Sequence, residues 1–439
     1  MSDLSFSEEE WLIRARVVAP VTRPPLENGA VVVRGGRVRA VGHFAELGSR
    51  PASRTVDLGE VILLPGLVNA HCHLDYTDMA GHLPPPRTFP DWIKSILALK
   101  AEWDTTDYRR SWTRGARMLV QSGTTTVGDI EAVADLLPEA WETTPLRVTS
   151  FLEMTGLRGR RQPETVLQEA VRRVEALAAG PGRTGLSPHA PYSTTAVLMR
   201  RVSALAQRRG WRLATHVAES HEEFEMFTRG SGLMFDWLRR NEREMSDCGH
   251  GSPVQHLERL GALSDHLLAV HVNYLAEGDA ELLARRGVSV VHCPRSHDYF
   301  GHAPFPQAAL SRAGVNLCLG TDSLATVLKK PHESVSLDLF AEMRTLAARW
   351  PMLPPGTILR MATVNGARAL GLAGEVGELA PQCQADLIAL PWRGALVDAP
   401  EAVVHHRGGV IASLIGGRWT VAPDTLPAPG PGAAPRVSS

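Results

Sequence analysis

The spacing of apolar and polar residues near the start of the chain predicts short β-strands. Residues 11–18 alternate between apolar and polar positions, and two apolar runs within residues 30–41 flank Gly35 and Gly36. Alternation with period two is typical of a strand with one buried face, and a Gly-Gly pair between apolar runs predicts a tight hairpin. Residues 1–60 are therefore expected to form a β-rich unit.

Matching strand signals return at the other end of the chain. Residues 385–390 and 409–421 are largely apolar, and Gly416 and Gly417 interrupt the second run. Two β fragments that flank a long α/β region predict one small β-sandwich, built from residues 1–60 and 374–425. Residues 426–439 are rich in proline, glycine and alanine, so they are expected to form a disordered tail.

Between these ends, eight short β-type runs alternate with stretches whose apolar residues recur every three or four positions, as in residues 164–177. Alternating strands and helices predict an α/β fold with a parallel sheet, and eight such units predict a (β/α)8 TIM barrel over residues 61–373. The runs are residues 61–70, 123–129, 146–153, 184–189, 212–216, 266–271, 288–292 and 315–322.

Every one of the eight runs ends in a polar residue that is able to bind a metal or act in catalysis. The carboxyl ends of barrel strands meet at one face, which is where catalytic groups lie. A single histidine at a strand end is more often structural, but eight such endings are not expected by coincidence. They are His71 with His73, Asp129, Glu153, His189, His216, His271, His292 and Asp322.

Composition narrows the classes of function. The 46 Lys and Arg residues balance 47 Asp and Glu residues, which leaves a net charge of −1 and no basic field for nucleic acid or an anionic membrane. No apolar run is long enough to span a bilayer, and the acidic first ten residues lack the apolar core of a signal peptide. The five cysteines form no Cys-x-x-Cys pair, so we expect a reduced cytoplasmic enzyme without membrane partners. A homodimer is compatible with such a barrel.

Four of the strand-end residues have the chemistry of a metal site. His71 and His73 are two positions apart, so on a strand both point to the same side. His216 and Asp322 complete a His3Asp set, and neutral imidazole suits zinc or ferrous iron. No lysine ends the fourth run, where a carbamylated lysine would bridge two metals. The sequence therefore predicts one divalent ion, Zn²⁺ or alternatively Fe²⁺.

A carboxylate follows one of these residues closely. Glu219 is three residues after His216, where it could act as general base or acid towards a water on the metal. The structural alternative is a helix N-terminal carboxylate favoured by the helix dipole. His271 could orient the water, stabilise developing charge or serve as a fifth ligand.

Six segments in combination resemble the amidohydrolase superfamily, and in particular its branch of nucleoside and heterocycle hydrolases. That branch includes S-adenosylhomocysteine/methylthioadenosine deaminases and chlorohydrolases, and the resemblance extends from about residue 11 to 421. It implies a metal-dependent deaminase whose ligands are His71, His73, His216 and Asp322. The segments are residues 65–73, 187–192, 216–220, 268–271, 292–296 and 319–323.

The resemblance also implies catalytic and substrate-binding roles. Glu219 matches the carboxylate that shuttles a proton from water on the metal to the ring nitrogen of the substrate. His271 matches a histidine that contacts the attacking water, and Asp322 assists the loss of ammonia. His189 and Ser323 are expected to contact the substrate, a small nucleoside.

One segment departs from the common pattern. Many relatives read Asn-Pro-x-Ser-Asn after the seventh strand, whereas residues 293–297 of this chain read Cys-Pro-Arg-Ser-His. Together with residues 73–77, this variant resembles the aminodeoxyfutalosine deaminases of the alternative menaquinone pathway, which implies conversion of 6-aminodeoxyfutalosine to futalosine. The alternatives are S-adenosylhomocysteine/methylthioadenosine deamination, hydrolysis of another heterocycle such as a chlorotriazine, and a non-catalytic structural barrel.

A benzoate-bearing substrate predicts a cation in the site. Arg295 could supply a bidentate carboxylate clamp, or it could be a solvated surface residue. Asp75 could bind ribose hydroxyls, with helix capping as its alternative. Residues 89–93 and an insertion at 221–262 could wall or cover the substrate, or they could serve as core packing.

Overall fold

The structure of the protein, a computed structural model, describes residues 9–49, 54–156, 162–330 and 332–424. The tail expected over residues 426–439 lies outside these ranges. The strands are β1 (Trp11–Val18), β2 (Leu26–Arg34), β3 (Arg37–His43), β4 (Arg54–Asp57), β5 (Val61–Pro65), β6 (Leu67–Cys72), β7 (Thr124–Glu131), β8 (Arg147–Met154), β9 (Arg183–Pro188), β10 (Leu213–Val217), β11 (Leu267–His271), β12 (Ser289–His292), β13 (Asn316–Leu319), β14 (Leu387–Pro391), β15 (Ala412–Ile415) and β16 (Arg418–Val421).

The helices lie mainly between the strands of the central region. They are α1 (Phe44–Leu47), α2 (Phe89–Lys100), α3 (Thr105–Gln121), α4 (Leu137–Glu142), α5 (Pro163–Leu177), α6 (Ala196–Arg209), α7 (His221–Arg229), α8 (Leu233–Arg240), α9 (Pro253–Arg259), α10 (Asp279–Arg285), α11 (Pro294–Phe300), α12 (Gln307–Ala313), α13 (Leu339–Arg349), α14 (Pro355–Met361), α15 (Val364–Ala369) and α16 (Ala399–Val404). None of the helices in the described ranges is both long enough and apolar enough to cross a membrane.

Strands β6 to β13 form a parallel sheet in which neighbours in sequence are neighbours in space. The sheet nearly closes between its first and last strands, because the backbone N–H groups of Thr321 and Asp322 donate to the carbonyl of His71 at 3.0 and 3.2 Å. A parallel bridge between Cys72 and Asp322 adds to this contact. The predicted (β/α)8 barrel is confirmed.

The remaining strands, from both ends of the chain, form a separate sheet with the order β16-β15-β14-β5-β1-β2-β3, and β4 pairs with β1. Both predicted Gly-Gly turns are present, between β2 and β3 and between β15 and β16. Apolar residues from strands of both chain ends, including Ile13, Val31 and Leu387, form one buried cluster. The composite β unit is thus confirmed, whereas its limits in sequence remain a prediction.

The apolar run at residues 61–70 is two strands and not one. Val61–Pro65 pairs with β1 and β14 in the terminal sheet, whereas Leu67–Cys72 begins the barrel. β5 therefore belongs to the terminal sheet, although it lies within the region 61–373 predicted for the barrel. Gly66 joins the two strands, and a Cβ at this position would collide with Thr125. The close approach of the two sheets requires a residue without a side chain here.

Helices pack their apolar faces on the barrel, as the three-to-four spacing predicts. In α5, Val166, Leu167, Ala170 and Val174 are buried in the main core, in agreement with the expected helix at 164–177. Burying each such branched side chain contributes about 1.5–3 kcal/mol relative to an exposed position. The helices therefore hold the barrel strands rigidly, which places their carboxyl ends in a defined arrangement.

Candidate metal centre and active site

The candidate site lies at the carboxyl ends of β6, β10, β11 and β13. Four non-glycine residues at these ends have left-handed backbone conformations: Ala218 with φ of 46°, His271 with 72°, Val272 with 50° and Asp322 with 53°. This conformation is costly for residues with a side chain, and it is retained mostly where function needs it. Here it turns the chain at the strand ends, where the candidate ligands lie.

Three of the predicted ligands come together at the closure of the barrel. Asp322 Oδ1 lies 3.5 Å from Nε2 of His71 and 3.7 Å from Nε2 of His73. The potential ligand atoms of these three residues are all within 4.8 Å of one another, and all three residues are buried. The backbone hydrogen bonds between β6 and β13 bring them together, although about 250 residues separate them in sequence.

The fourth predicted ligand, His216, approaches from β10. Its Nε2 lies 3.3 Å from Nε2 of His73, and its Nδ1 lies 2.9 Å from the carbonyl of His189. Because a carbonyl accepts only, Nδ1 carries the proton and Nε2 presents a lone pair to the site. His271 also belongs here, since its ligand atom is within 4.8 Å of those of His71 and His216.

These residues fit a divalent cation on two observations. His71 is 1% exposed, and neither of its ring nitrogens has a hydrogen-bond partner among the described residues, an arrangement that is costly unless something else binds them. In addition, burial, followed by the neighbouring histidines, holds the pKa of His73 and of His216 well below the ordinary value. Neutral imidazoles with free lone pairs are the form that binds zinc or iron.

Two hydroxyl groups orient Asp322. Its Oδ2 accepts hydrogen bonds from Ser296 Oγ at 2.6 Å and Thr326 Oγ1 at 3.1 Å, which leaves Oδ1 directed at the imidazoles. Burial alone would raise the pKa of Asp322, but His71, His271 and His73 together lower it well below its usual range. A ligand carboxylate that is fixed by outer hydrogen bonds is common at metal sites. Neither hydroxyl was singled out from the sequence.

Glu219 lies beside this cluster, with its Oε1 3.5 Å from Nε2 of His271. Its backbone is held on both sides: the N–H donates to Glu223 Oε2 at 2.9 Å, and the carbonyl accepts from Asn273 Nδ2 at 2.8 Å. Burial, and then the charges of Asp322 and Glu223, raise the pKa of Glu219 well above its usual range. A carboxyl with a raised pKa in a cavity is suited to both accept and donate a proton.

A cavity of about 880 Å³ opens above these residues, and His73, His216, Glu219 and Asp322 reach its floor. Two of the residues predicted to contact the substrate, His189 and Ser323, also line it. His189 is hydrogen-bonded to Ser193 Oγ and lies 3.8 Å from Glu153 Oε1. The walls are mostly apolar, and they include Trp92, Ile93, Leu97, Tyr192, Trp237 and Leu238.

Both segments predicted to cover the substrate contribute to this cavity. In α2, Trp92 and Ile93 line it, whereas Phe89 packs into an apolar cluster with Tyr192. The 221–262 insertion divides in the same way, since Trp237 and Leu238 of α8 wall the cavity while Met226, Phe227 and Met234 are core residues. Part of each segment therefore borders the cavity, as the lid interpretation expects, and the rest is core packing.

The structure contradicts the predicted carboxylate clamp. Arg295 does not reach the cavity: its side chain pairs with the fully buried Glu342, and its Nη1 donates to the carbonyl of Ser336 at 3.0 Å. Its backbone N–H also donates to Glu342 Oε2 at 2.9 Å. Arg295 is the second residue of α11, and it pairs with the buried carboxylate of Glu342 on α13. Loop position alone could not reveal this partner.

Asp75, which was predicted to bind ribose, does not line the cavity either. Asp75 is fully buried in the turn after β6, outside the cavity lining, and neither of its carboxylate oxygens has a hydrogen-bond partner among the described residues. Burial, with Asp129 nearby, raises its pKa well above the usual range. The next residue, Tyr76, lines the cavity in its place and stacks on His73 with 5.1 Å between ring centroids.

Residues 62–420 match the model of the Amidohydrolase family. A protein from Syntrophobacter fumaroxidans named 5-methylthioadenosine/S-adenosylhomocysteine deaminase is 33% identical over 383 residues, covering 84% of this chain and 81% of that protein. A solved zinc-bound adenosine deaminase from Xanthomonas campestris is 28% identical, with a TM-score of 0.81 over 95% of this chain and 94% of the other.

A second solved structure is similar in fold. Helicobacter pylori aminofutalosine deaminase, in complex with methylthio-coformycin, superposes with a TM-score of 0.82 over 93% of this chain and 100% of the other. At 22% identity, this similarity shows the shared barrel and terminal sheet alone.

Proposed function

The chain belongs to the amidohydrolase family of carbon–nitrogen hydrolases, and we propose that it removes the 6-amino group of an adenine nucleoside. The observation that carries this proposal is the position of Glu219, a buried carboxyl at the floor of a largely apolar cavity and beside the histidine–aspartate cluster. A flat heterocycle bound in this cavity would lie against Glu219, which is able to transfer a proton. The residues that would hold the metal ion, and with it the attacking water, are at the same place.

His71, His73, His216 and Asp322 would hold one divalent ion, with zinc as the first candidate and ferrous iron as the second. When bound, the ion supplies a Lewis acid that allows a water molecule to lose a proton near neutral pH. Ser296 and Thr326 keep the Asp322 carboxylate in its orientation.

Glu219 moves the protons of the reaction. Its carboxylate accepts a proton from the attacking water and delivers it to N1 of the purine, which makes C6 more electrophilic. His271, whose Nε2 is 3.5 Å from Glu219 Oε1, orients the water and stabilises the charge that develops on it. The water oxygen bonds to C6, and its second proton passes to the 6-amino group with the assistance of Asp322 and His271. Cleavage of the C6–N bond then releases ammonia and leaves a hypoxanthine nucleoside.

The cavity walls bind the rest of the substrate. Trp92 and Trp237 stand on two different helices that border the cavity, and such rings contribute apolar contact area to a purine or a benzoate. His189 and Ser323 provide polar contacts. An enclosure of this kind excludes bulk water from the reacting atoms.

Within this activity we favour 6-aminodeoxyfutalosine, which would be converted to futalosine for menaquinone synthesis. The support is the sequence of residues 73–77 and 293–297, together with a cavity of about 880 Å³ whose walls are mostly apolar. Methylthioadenosine and S-adenosylhomocysteine are the second candidates, and the 33% identical relative named for those substrates favours them.

Ammonia release by the purified, metal-assayed protein tests the proposal. The panel contains 6-aminodeoxyfutalosine, adenosine, methylthioadenosine, S-adenosylhomocysteine, guanine and a chlorotriazine. Preference for 6-aminodeoxyfutalosine supports the favoured substrate, and activity restricted to methylthioadenosine or S-adenosylhomocysteine supports the second candidates. Turnover of guanine or chlorotriazine alone, or of nothing by metal-loaded protein, rejects adenine-nucleoside deamination.

A further inference from the structure

The cavity contains an unpaired positive charge that the proposed chemistry does not use. Apart from histidines, the cations that line it among the described residues are Lys94 and Lys100, both on α2. Lys94 pairs with Asp91 at 3.0 Å, and its side chain is 52% exposed. Lys100 is half-buried and forms no ion pair with any described residue. The two lysines therefore differ in whether a protein carboxylate already neutralises them.

Lys100 has a defined position relative to the metal centre. Its Nζ donates a hydrogen bond to Tyr76 Oη and lies 4.7 Å from the centre of the Tyr76 ring. The Tyr76 ring in turn stacks on His73, with an interplanar angle of 8°. The Tyr76 ring therefore lies between Lys100 and a candidate metal ligand.

The neighbouring carboxylates do not form a salt bridge with this ammonium group. Glu153 lines the same cavity, but it lies 3.8 Å from His189 Nε2. Asp75 is close enough for the charge of Lys100 to lower its pKa, but it is buried outside the lining. A lysine ammonium has three N–H donors, and the hydrogen bond to Tyr76 is the only one that it makes to the described residues. Two charged donors remain for a group that enters the cavity.

We propose that Lys100 binds an anionic group, a carboxylate, on the part of the substrate remote from the amino group that is removed. This inference rests on the proposed deamination and specifies its substrate class. The apolar side chains of Ile96 and Leu97 on the same helix also line the cavity, so the bound substituent is expected to be apolar along its length and charged at its end. Lys100 takes the role that the sequence suggested for Arg295.

The test compares pairs of substrates in which one member carries a free carboxylate and the other does not. One pair is 6-aminodeoxyfutalosine and its methyl ester, and the other is S-adenosylhomocysteine and methylthioadenosine. For each pair, the ratio of kcat/KM for the carboxylate substrate to that for the neutral one is measured in wild type and in Lys100→Met. Because both members of a pair use the same protein sample, a loss of folded enzyme cancels in the ratio.

We expect Lys100→Met to lower this ratio by about 10- to 100-fold in at least one pair, mainly through a higher KM for the carboxylate substrate, since a hydrogen bond to a charged group has this magnitude. The pair that responds identifies which carboxylate the site accepts. Lys100→Arg should retain most of the ratio. Lys94→Met, the same change at the paired lysine of this helix, should not lower it.

An unchanged ratio for Lys100→Met in both pairs would overturn the inference, as would an equal fall for Lys94→Met. In either case nucleoside deamination would stand, because the neutral substrates report it independently. If wild type deaminates none of the four compounds, the proposed function itself fails and the inference fails with it.

Discussion

The Glu219 carboxyl and the His271 imidazole lie 3.5 Å apart at the ends of adjacent parallel strands. Burial affects the two groups in opposite directions. It raises the pKa of Glu219 well above its usual range and lowers the pKa of His271 to about 3, because both charged forms lose solvation. Near neutral pH the imidazole is therefore uncharged, and the carboxyl holds a proton more strongly than an exposed glutamate does.

Glu219→Gln should keep the fold and the metal but lose turnover. The amide cannot carry the proton between water and the purine, and general acid–base catalysis contributes on the order of 10²–10⁴-fold. The measurement is kcat on the best nucleoside of the panel, using protein of known metal content. Glu225→Gln, on the adjacent helix α7 where Glu225 pairs with Arg229, is the matched control. Near-normal turnover by metal-loaded Glu219→Gln would remove this residue from the mechanism.

Metal removal should abolish activity, and readdition of zinc or ferrous iron should restore it. His71→Ala should reduce the bound metal, expected at one ion per chain, because His71 belongs to both groups of candidate ligands. Elemental analysis after dialysis measures the content. His266→Ala, at the opposite end of β11, provides the comparison. Full metal content in His71→Ala, or activity that survives chelation, would contradict the assigned site.

Arg295→Met should destabilise the protein without changing substrate selectivity. It leaves Glu342, which is fully buried, without its cationic partner, and loss of one member of a buried pair costs about 3 kcal/mol or more. Urea unfolding measures this loss. The double variant Arg295→Met/Glu342→Gln should recover part of it, because no carboxylate is then buried unpaired. A stable Arg295→Met protein with selective loss of carboxylate substrates would instead restore the clamp hypothesis.

His256 should make stability depend on pH below neutrality. It is buried against Phe227, and burial lowers its pKa from 6.5 to about 4 despite the nearby carboxylate of Asp247; Arg243 and Arg259 add to the lowering. Below pH 6.5 the unfolded chain takes up a proton that the folded protein does not, so stability falls as pH decreases towards 4. The expected loss between pH 7 and pH 5 is on the order of 2 kcal/mol.

Comparison with His256→Phe isolates this contribution. Unfolding free energies at pH 7 and pH 5 should differ less in the variant than in wild type by that amount. The exposed His250 of the same insertion, changed to Phe, should leave the pH dependence as it is. An identical pH dependence in His256→Phe and wild type would show that His256 is not responsible.

Much of the fold and of the candidate site follows from local patterns in the sequence. Period-two runs, Gly-Gly turns and three-to-four spacing are properties of short segments, so eight β/α units and two terminal β fragments were predictable. Parallel strands in a barrel all end at one face, which is why residues as distant as His71, His216 and Asp322 could be expected to meet.

Other features depend on which groups meet across the fold, and only the tertiary structure decided them. Whether Arg295 or Lys100 faces the cavity depends on where a buried carboxylate lies, and Glu342 is 47 residues from the arginine that it binds. The division of residues 61–70 between two sheets depends on the strands available for pairing on each side of Gly66. The sequence by itself determined the strands and helices and the metal-binding and catalytic residues at the strand ends. Strand pairing and ion pairs between residues distant in sequence determined which side chains line the cavity.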